Sequence, residues 1–255
     1  QSERRNYLIQ KLLEEQPQYA KMQIPGRCEE QKMLLRSLMN IRMPGKINKE
    51  FQQIQDAYLA EENAAKGVVT PADMEELSPE IYLWKGDITR LQVGAIVNAA
   101  NSGMTGCYQP CHNCIDNCIH TYAGIELRNY CNELMLCQGH EEPTGQAKIT
   151  PAFNLPCDYV IHTVGPIVRG RLTVEHERLL VSCYEACLRI AEENNIESIA
   201  FCCISTGVFM FPNERAAELA IQTVKQYKDR TKSKIKVIFN VFKEDDERIY
   251  RRFLG

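Results

Sequence analysis

Ala95-Ile96-Val97-Asn98-Ala99-Ala100-Asn101-Ser102 is a short apolar run ending in polar residues, and it leads into Gly106-Cys107-Tyr108-Gln109-Pro110-Cys111-His112-Asn113-Cys114-Ile115-Asp116-Asn117-Cys118-Ile119-His120. An apolar run of this length, bounded by turn formers, reads as a strand buried on both faces. From about residue 113 the pattern becomes helical, so the stretch reads strand, loop, helix. Such junctions build α/β folds, whose ligands bind outside the carboxyl ends of the strands. This junction holds four cysteines and two histidines. Sulfur and imidazole are the donors zinc(II) prefers, and donors close in sequence chelate at little loop-closure cost. Asp116 at the helix start sets a carboxylate beside them, an arrangement suited to hydrolysis.

The same alternation continues outward. Strands are expected at 81–85, 95–100, 159–163, 198–204 and 236–241, and helices at 113–123, 125–136, 175–193, 214–227 and 245–253. Residues 79–255 therefore read as α/β, a three-layer α/β/α sandwich with a mixed, mostly parallel sheet. Residues 1–78 differ. Tyr7, Leu8, Ile9, Leu12 and Leu13, then Met33, Leu34, Leu35, Leu38 and Met39, recur at helical spacing, with Pro25-Gly26 and Pro44-Gly45 as punctuation. This predicts a small N-terminal helical appendage packed on the main domain, with no readable chemistry.

Composition narrows the function classes. A net charge of −3 argues against a binder of nucleic-acid backbones driven by bulk electrostatics. No apolar run approaches the roughly 20 residues needed to span a bilayer, and no leader pattern opens the sequence. The expectation is a cytoplasmic protein with neither nucleic acid nor membrane as partner. Most of the twelve cysteines, such as Cys183, Cys187, Cys202 and Cys203, sit in apolar patterns and read as small buried hydrophobes rather than a disulfide framework. No P-loop or G-x-G-x-x-G pattern supports a nucleotide-triphosphatase or nicotinamide dehydrogenase.

Five motifs then fall into one order: Gly86-Asp87-Ile88-Thr89; Val97-Asn98-Ala99-Ala100-Asn101-Ser102; Ile115-Asp116 with Ile119-His120; His162-Thr163-Val164-Gly165-Pro166; and Ile204-Ser205-Thr206-Gly207. In that order residues 79–255 resemble macrodomains, a family of ADP-ribose-binding and ADP-ribosyl-hydrolysing α/β/α modules. The resemblance implies that Asp87 accepts from the adenine amino group with the Ile88 amide nearby. It implies that Ser205, Thr206, Gly207, Val208 and Phe209 form the diphosphate loop, Phe209 lying beside the distal ribose. Asn101 and Asp116 would meet that ribose as the catalytic pair. Each has a plainer reading: Asp87 and Asn101 as turn formers, Asp116 as a helix-start acid, and the 205–212 turn as a helix cap.

One departure sharpens the resemblance. Common hydrolytic macrodomains carry a run of glycines before the Val/Ile-Asp helix start, whereas only the separated Gly103 and Gly106 precede Cys107 through Cys114 here. In this the sequence is similar to zinc-dependent macrodomains, a mainly bacterial subgroup that also has an N-terminal helical extension. That similarity implies one Zn2+ per chain on Cys107, His112 and Cys114, with the fourth tetrahedral position left to water or substrate. Cys111 and Cys118 are rival ligands, and four bound ligands would make the site structural. His120 is expected to be packed and hydrogen-bonded, while His140, His162 and His176 carry no metal signal.

The resemblance implies a zinc-dependent mono-ADP-ribosylhydrolase that frees ADP-ribose from protein side chains, with an Asp or Glu ester as the expected linkage. The alternative is a non-catalytic ADP-ribose reader stapled by a structural zinc. A zinc-finger-like nucleic-acid module lacks paired ligand knuckles and a basic patch. The implied partners are ADP-ribose and a mono-ADP-ribosylated protein. Some members of the subgroup are encoded beside a sirtuin-type transferase and lipoylation proteins, which adds a lipoylation-related carrier protein to the expected partners.

Overall fold

A computed structural model describes residues 1–19 and 21–255. Three helices open the chain: α1 (Ser2–Glu14), α2 (Cys28–Ile41) and α3 (Lys49–Ala65). Their apolar stripes meet in one cluster, with Leu8, Ile9 and Leu12 of α1, Leu35, Leu38 and Met39 of α2, and Phe51, Tyr58 and Leu59 of α3. Asn48 starts α3 by accepting the Phe51 N–H at 2.7 Å, which satisfies one of the helix's unpaired donors. Ile125 joins this cluster from the main domain, so the appendage is docked through apolar as well as polar contacts.

The sheet has seven strands: β1 (Glu75–Ser78), β2 (Ile81–Lys85), β3 (Ala95–Ala100), β4 (Ala147–Pro151), β5 (Tyr159–Val164), β6 (Ser198–Phe201) and β7 (Lys236–Val241). Their order is β1-β2-β7-β6-β3-β5-β4. The five middle strands pair in parallel, and β1 and β4 close the two edges antiparallel. Ala95, Ile96, Val97, Val160 and Ile161 have no solvent exposure, as strands covered on both faces require. The helices are α4 (Ile115–Ala123), α5 (Ile125–Gln138), α6 (Val174–Glu193), α7 (Asn213–Thr231) and α8 (Glu244–Leu254). α4 packs on β3 and α5 on β4, while α6 packs on α7 and α7 on α8. This is the expected α/β sandwich with a mixed, mostly parallel sheet and N-terminal helices.

Several boundaries differ from the sequence reading. β1 and β4 are not in it, because each is a half-exposed edge strand with no two-faced apolar run. The expected boundary at residue 78 falls inside the sheet. The helices end at Ala65, Val69 bridges to Leu91, and β1 pairs with β2. β6 ends at Phe201 rather than 204, where the chain turns toward the loop below. α4 starts at Ile115 rather than 113, because Cys114 is extended (φ −73, ψ 155) and caps the helix. Among the described residues, no helix is long and apolar enough to cross a membrane.

Five parallel strands deliver their carboxyl ends to one edge. The segments after Lys85, Ala100, Val164 and Phe201 therefore all emerge there. Every residue singled out by sequence as a site candidate lies on one of these segments or at the start of the helix that follows.

Candidate active site

The 101–114 loop leaves β3 and curls back before α4 begins. The curl brings Cys107, His112 and Cys114 together, with their donor atoms all within 4.8 Å of one another. Cys107 Sγ lies 3.6 Å from His112 Nδ1. Two sulfurs and one imidazole nitrogen are a donor set that fits a borderline-soft divalent ion such as zinc. Cys114 Sγ also accepts the Asn117 N–H at 3.4 Å, and burial pushes its thiol up to about 12. The rival cysteines turn away. Cys111 Sγ lies 3.1 Å from Ser37 Oγ and 3.4 Å from the Met33 carbonyl, and Cys118 Sγ is 3.6 Å from Arg36 Nη2.

Asp116 is buried in the first turn of α4. Its Oδ1 accepts from Asn98 Nδ2 at 2.8 Å and its Oδ2 from Asn101 Nδ2 at 3.4 Å. Asn101 also donates to the Gly106 carbonyl at 3.1 Å and accepts the Gly103 N–H at 3.0 Å, so it ties the carboxylate to the loop. Burial pushes the Asp116 carboxyl up to about 6, and the Asn98 bond and the Arg128 guanidinium oppose that rise.

Behind Asp116 the network continues into the sheet. Asn98 Nδ2 lies 3.0 Å from His162 Nδ1, and His162 Nε2 lies 3.0 Å from Thr150 Oγ1. An amide NH2 only donates, so His162 Nδ1 accepts and the ring proton sits on Nε2. Nε2 also faces Cys131 Sγ at 3.8 Å, and in this tautomer it has no lone pair for a metal. The His120–Cys131–His162 group, whose donor atoms also lie within 4.8 Å, is therefore read as a packed cluster in which Cys131 faces the His162 ring proton. His120 is packed as expected but not hydrogen-bonded within the protein: both ring nitrogens lack a partner, and Asp116 Oδ1 is 3.6 Å from Nε2. Its ring lies so close to the loop that a Cβ on Gly106, where φ is +85, would fall 2.8 Å from it.

Burial pushes His162 down to about 3 and His120 well below the usual histidine range. A histidine depressed in the folded state leaves the unfolded chain as the better proton acceptor, so stability falls as pH drops through the unfolded value near 6.5. Asp116, raised by burial, opposes one of the two histidines between about 6 and its unfolded value near 3.8. Between pH 6.5 and 4.5 the wild type should lose about 2 kcal/mol more than His162→Gln, as read from urea midpoints and slopes. Parallel curves for the two proteins would contradict the assignment.

At the other end of the edge, Asp87 starts a 3-10 turn (Ile88–Arg90) and accepts from Thr89 N–H at 3.0 Å and Thr89 Oγ1 at 2.7 Å. Its second oxygen, Oδ2, is 3.7 Å from Lys66 Nζ and the side chain is about one-third exposed. Lys66 follows α3, lies over the Tyr122 ring, and is pushed down to about 8 by burial, with Asp87 acting in the opposite sense. The 205–209 loop follows β6. Ser205 adopts φ +64, its buried Oγ meets no partner in the protein, and a Cβ on Gly165 would fall 2.1 Å from that oxygen. Thr206 Oγ1 donates to the Cys203 carbonyl at 2.9 Å, and the Phe209 carbonyl accepts the Val168 N–H at 2.8 Å. Gly207 and Val208 are exposed at the tip, and Ile88 is buried beneath its turn.

A family model described as Macro domain matches residues 97–220. A protein-ADP-ribose hydrolase of Treponema medium is 57% identical over 259 residues, covering 100% of this chain and 99% of that protein. The chain belongs to the Macro domain family. A protein-ADP-ribose hydrolase of Staphylococcus aureus (strain MRSA252) is 44% identical over 254 residues, covering 97% of this macrodomain chain and 94% of its own. Among solved structures, the Trypanosoma brucei macrodomain in complex with ADP matches with a TM-score of 0.68 at 26% identity, covering 86% of this chain and 96% of that one. Both alignments run over nearly the whole of this macrodomain chain, so they take in residues of its N-terminal helices as well as its sheet.

Sequence reasoning named Asp87, Asn101, Asp116, the 205–209 loop and the Cys107–Cys114 segment. It missed the residues that hold these in place: Arg36, Asn40, Lys66, Asn98, Arg128 and His162. Asn98 and His162 face each other because β3 and β5 pair in parallel with these two residues in register. A polar residue inside each of two largely apolar, buried strands is the signal that could have found them, since buried polar groups need partners. Arg36 and Asn40, four apart in α2, share a helix face. No local pattern in the macrodomain sequence says what that face meets.

Proposed function

We propose that this chain is a zinc-dependent hydrolase that removes mono-ADP-ribose from modified proteins, cleaving an ester between the distal ribose and an Asp or Glu side chain. The observation that carries it is the convergence of Cys107, His112 and Cys114 within 4.8 Å, two residues before a buried Asp116 that Asn101 already contacts. The names of the Treponema medium and Staphylococcus aureus relatives support the hydrolase reading.

In this reading Asp87 receives the adenine amino group near the Ile88 amide, and residues 205–209 cradle the diphosphate with backbone N–H groups and hydroxyls. Asn101 and Asp116 take the distal ribose end, with Phe209 against the sugar. Zinc on Cys107, His112 and Cys114 supplies Lewis acidity, which polarises an oxygen or lowers the pKa of a water. Asn98 holds Asp116 Oδ1, so Oδ2 is the oxygen that orients a water or ribose hydroxyl and accepts its proton. Water adds across the ester: the ribose keeps a hydroxyl at its anomeric carbon and the protein regains a carboxylic acid.

The deciding experiment is ADP-ribose release from an Asp/Glu-linked mono-ADP-ribosylated protein, with and without chelation and with zinc quantified in each sample. A mono-ADP-ribosylated lipoylation-related carrier protein serves as a second substrate. Release is expected to vanish on chelation and to return with zinc, while much of the ADP-ribose affinity survives. Undiminished release by metal-free protein would reject the zinc mechanism. Retained binding with no release from either substrate would leave a reader with a structural metal.

A further inference from the structure

The 101–114 loop contains turns but neither helix nor strand, so its backbone polar groups depend on partners from outside. Those partners form a pattern. The His112 carbonyl accepts from Arg36 Nη2 at 2.7 Å, and the same nitrogen donates to Asn117 Oδ1 at 2.9 Å. The Cys111 N–H donates to Asn40 Oδ1 at 2.9 Å. Asn117 Nδ2 reaches the Gln109 carbonyl at 2.9 Å and the Cys107 carbonyl at 3.4 Å, and the latter also lies 3.4 Å from Arg128 Nη2. Arg128 stacks on the Tyr108 ring, 4.3 Å from its centroid, and its Nη1 collects the carbonyls of Met39, Asn40 and Arg42 at 3.2, 2.6 and 2.7 Å. Asn40 and Asn117 are essentially unexposed.

We propose that helix α2 of the N-terminal unit is part of the active site, with Arg36 and Asn40 as positioning residues that hold the metal-binding loop in ligand geometry. This rests on the zinc reading above. Arg36 sets the backbone of His112, and Asn117, itself held by Arg36, sets Cys107 through its side chain and Cys114 Sγ through its N–H. Each of the three donors is thus tied, directly or in one further step, to α2. A loop ordered before the ion arrives loses less freedom on binding it, so the clamp should appear in metal affinity as well as in turnover. The appendage then does more than cover a face of the main domain: the site is incomplete without it.

The test uses the full chain. Arg36→Met keeps the aliphatic stem and removes the donors, Arg36→Lys keeps one charged donor, and Arg4→Met removes an ion pair to Glu61 elsewhere in the same helical unit. Zinc affinity is measured by competition with a chromophoric chelator, and amide hydrogen exchange is followed over residues 106–114 of metal-free protein. Arg36→Met should bind zinc about tenfold or more weakly, with faster exchange in the loop. Arg36→Lys should fall between, and Arg4→Met should match the wild type. A folded Arg36→Met with zinc affinity within twofold of wild type and unchanged loop exchange overturns the proposal. If Arg36→Met does not fold, Arg36→Lys decides by the same two readouts. A wild type that takes up no zinc overturns the zinc reading instead, and loop exchange alone then judges the clamp.

Discussion

Cys114→Ser is expected to lose its zinc and to release ADP-ribose on the order of 10³-fold more slowly than the wild type, while remaining folded. Removing the metal's contribution costs several kcal/mol of transition-state stabilisation, and each 1.36 kcal/mol is tenfold in rate. The substitution separates the capping role of this residue from its proposed role as a zinc ligand. Cys114 caps α4 by accepting the Asn117 N–H, and serine is among the preferred residues at that position, so the helix start is kept or improved. As a ligand, a neutral hydroxyl is a poor replacement for thiolate sulfur on zinc. Metal content, far-UV circular dichroism and single-turnover release together check the prediction. A folded, zinc-free Cys114→Ser that hydrolyses within threefold of wild type would place the chemistry elsewhere.

Asp116→Asn should have the opposite metal phenotype. Its zinc content should stay at one per chain, and its release rate should fall about 10²- to 10⁴-fold, the range for removing a general base. The amide oxygen can still accept the 2.8 Å bond from Asn98, so the side chain stays oriented while the proton acceptor is lost. Binding of free ADP-ribose should change only a few-fold, because the proposed pose puts the adenine and diphosphate ends on other loops. A variant that keeps full turnover would show that Asp116 acts as a structural acid at a helix start, and one that loses its zinc would show that it helps to hold the metal. The two substitutions together distinguish metal-holding from proton-holding, which neither does alone.

Much of this was legible in the chain because buried parallel strands and helix stripes have strong periods. Ala95–Ala100 and the parallel strands after it read correctly as apolar runs, and Leu8 through Leu13 read correctly as a helix face. The edge strands β1 and β4 were not legible. Glu75-Glu76-Leu77-Ser78 pairs on one side only and has no apolar alternation to reveal it. At the site, sequence spacing placed Asp116 and the Cys/His segment, since those chemistries are local. It could not place Arg36 beside His112 or Arg128 beside Met39, because such contacts span 76 and 89 residues and depend on how the appendage docks. The role of His162 is hidden for a similar reason: its partner Asn98 is brought to it only by the register of β3 on β5.

Arg128 also bears on the birth of the chain. It binds carbonyls at the end of α2 that were synthesised 86 to 89 residues earlier. At ribosomal rates of about 5–20 residues per second, those carbonyls wait on the order of ten seconds for their partner. Ile125, which completes the apolar cluster of the first three helices, emerges just before it. The three-helix unit is thus locked only after the start of α5 has followed it out of the exit tunnel. On the nascent chain, protection of α2 from proteolysis should appear after α5 has cleared the ribosome, and not when α3 does.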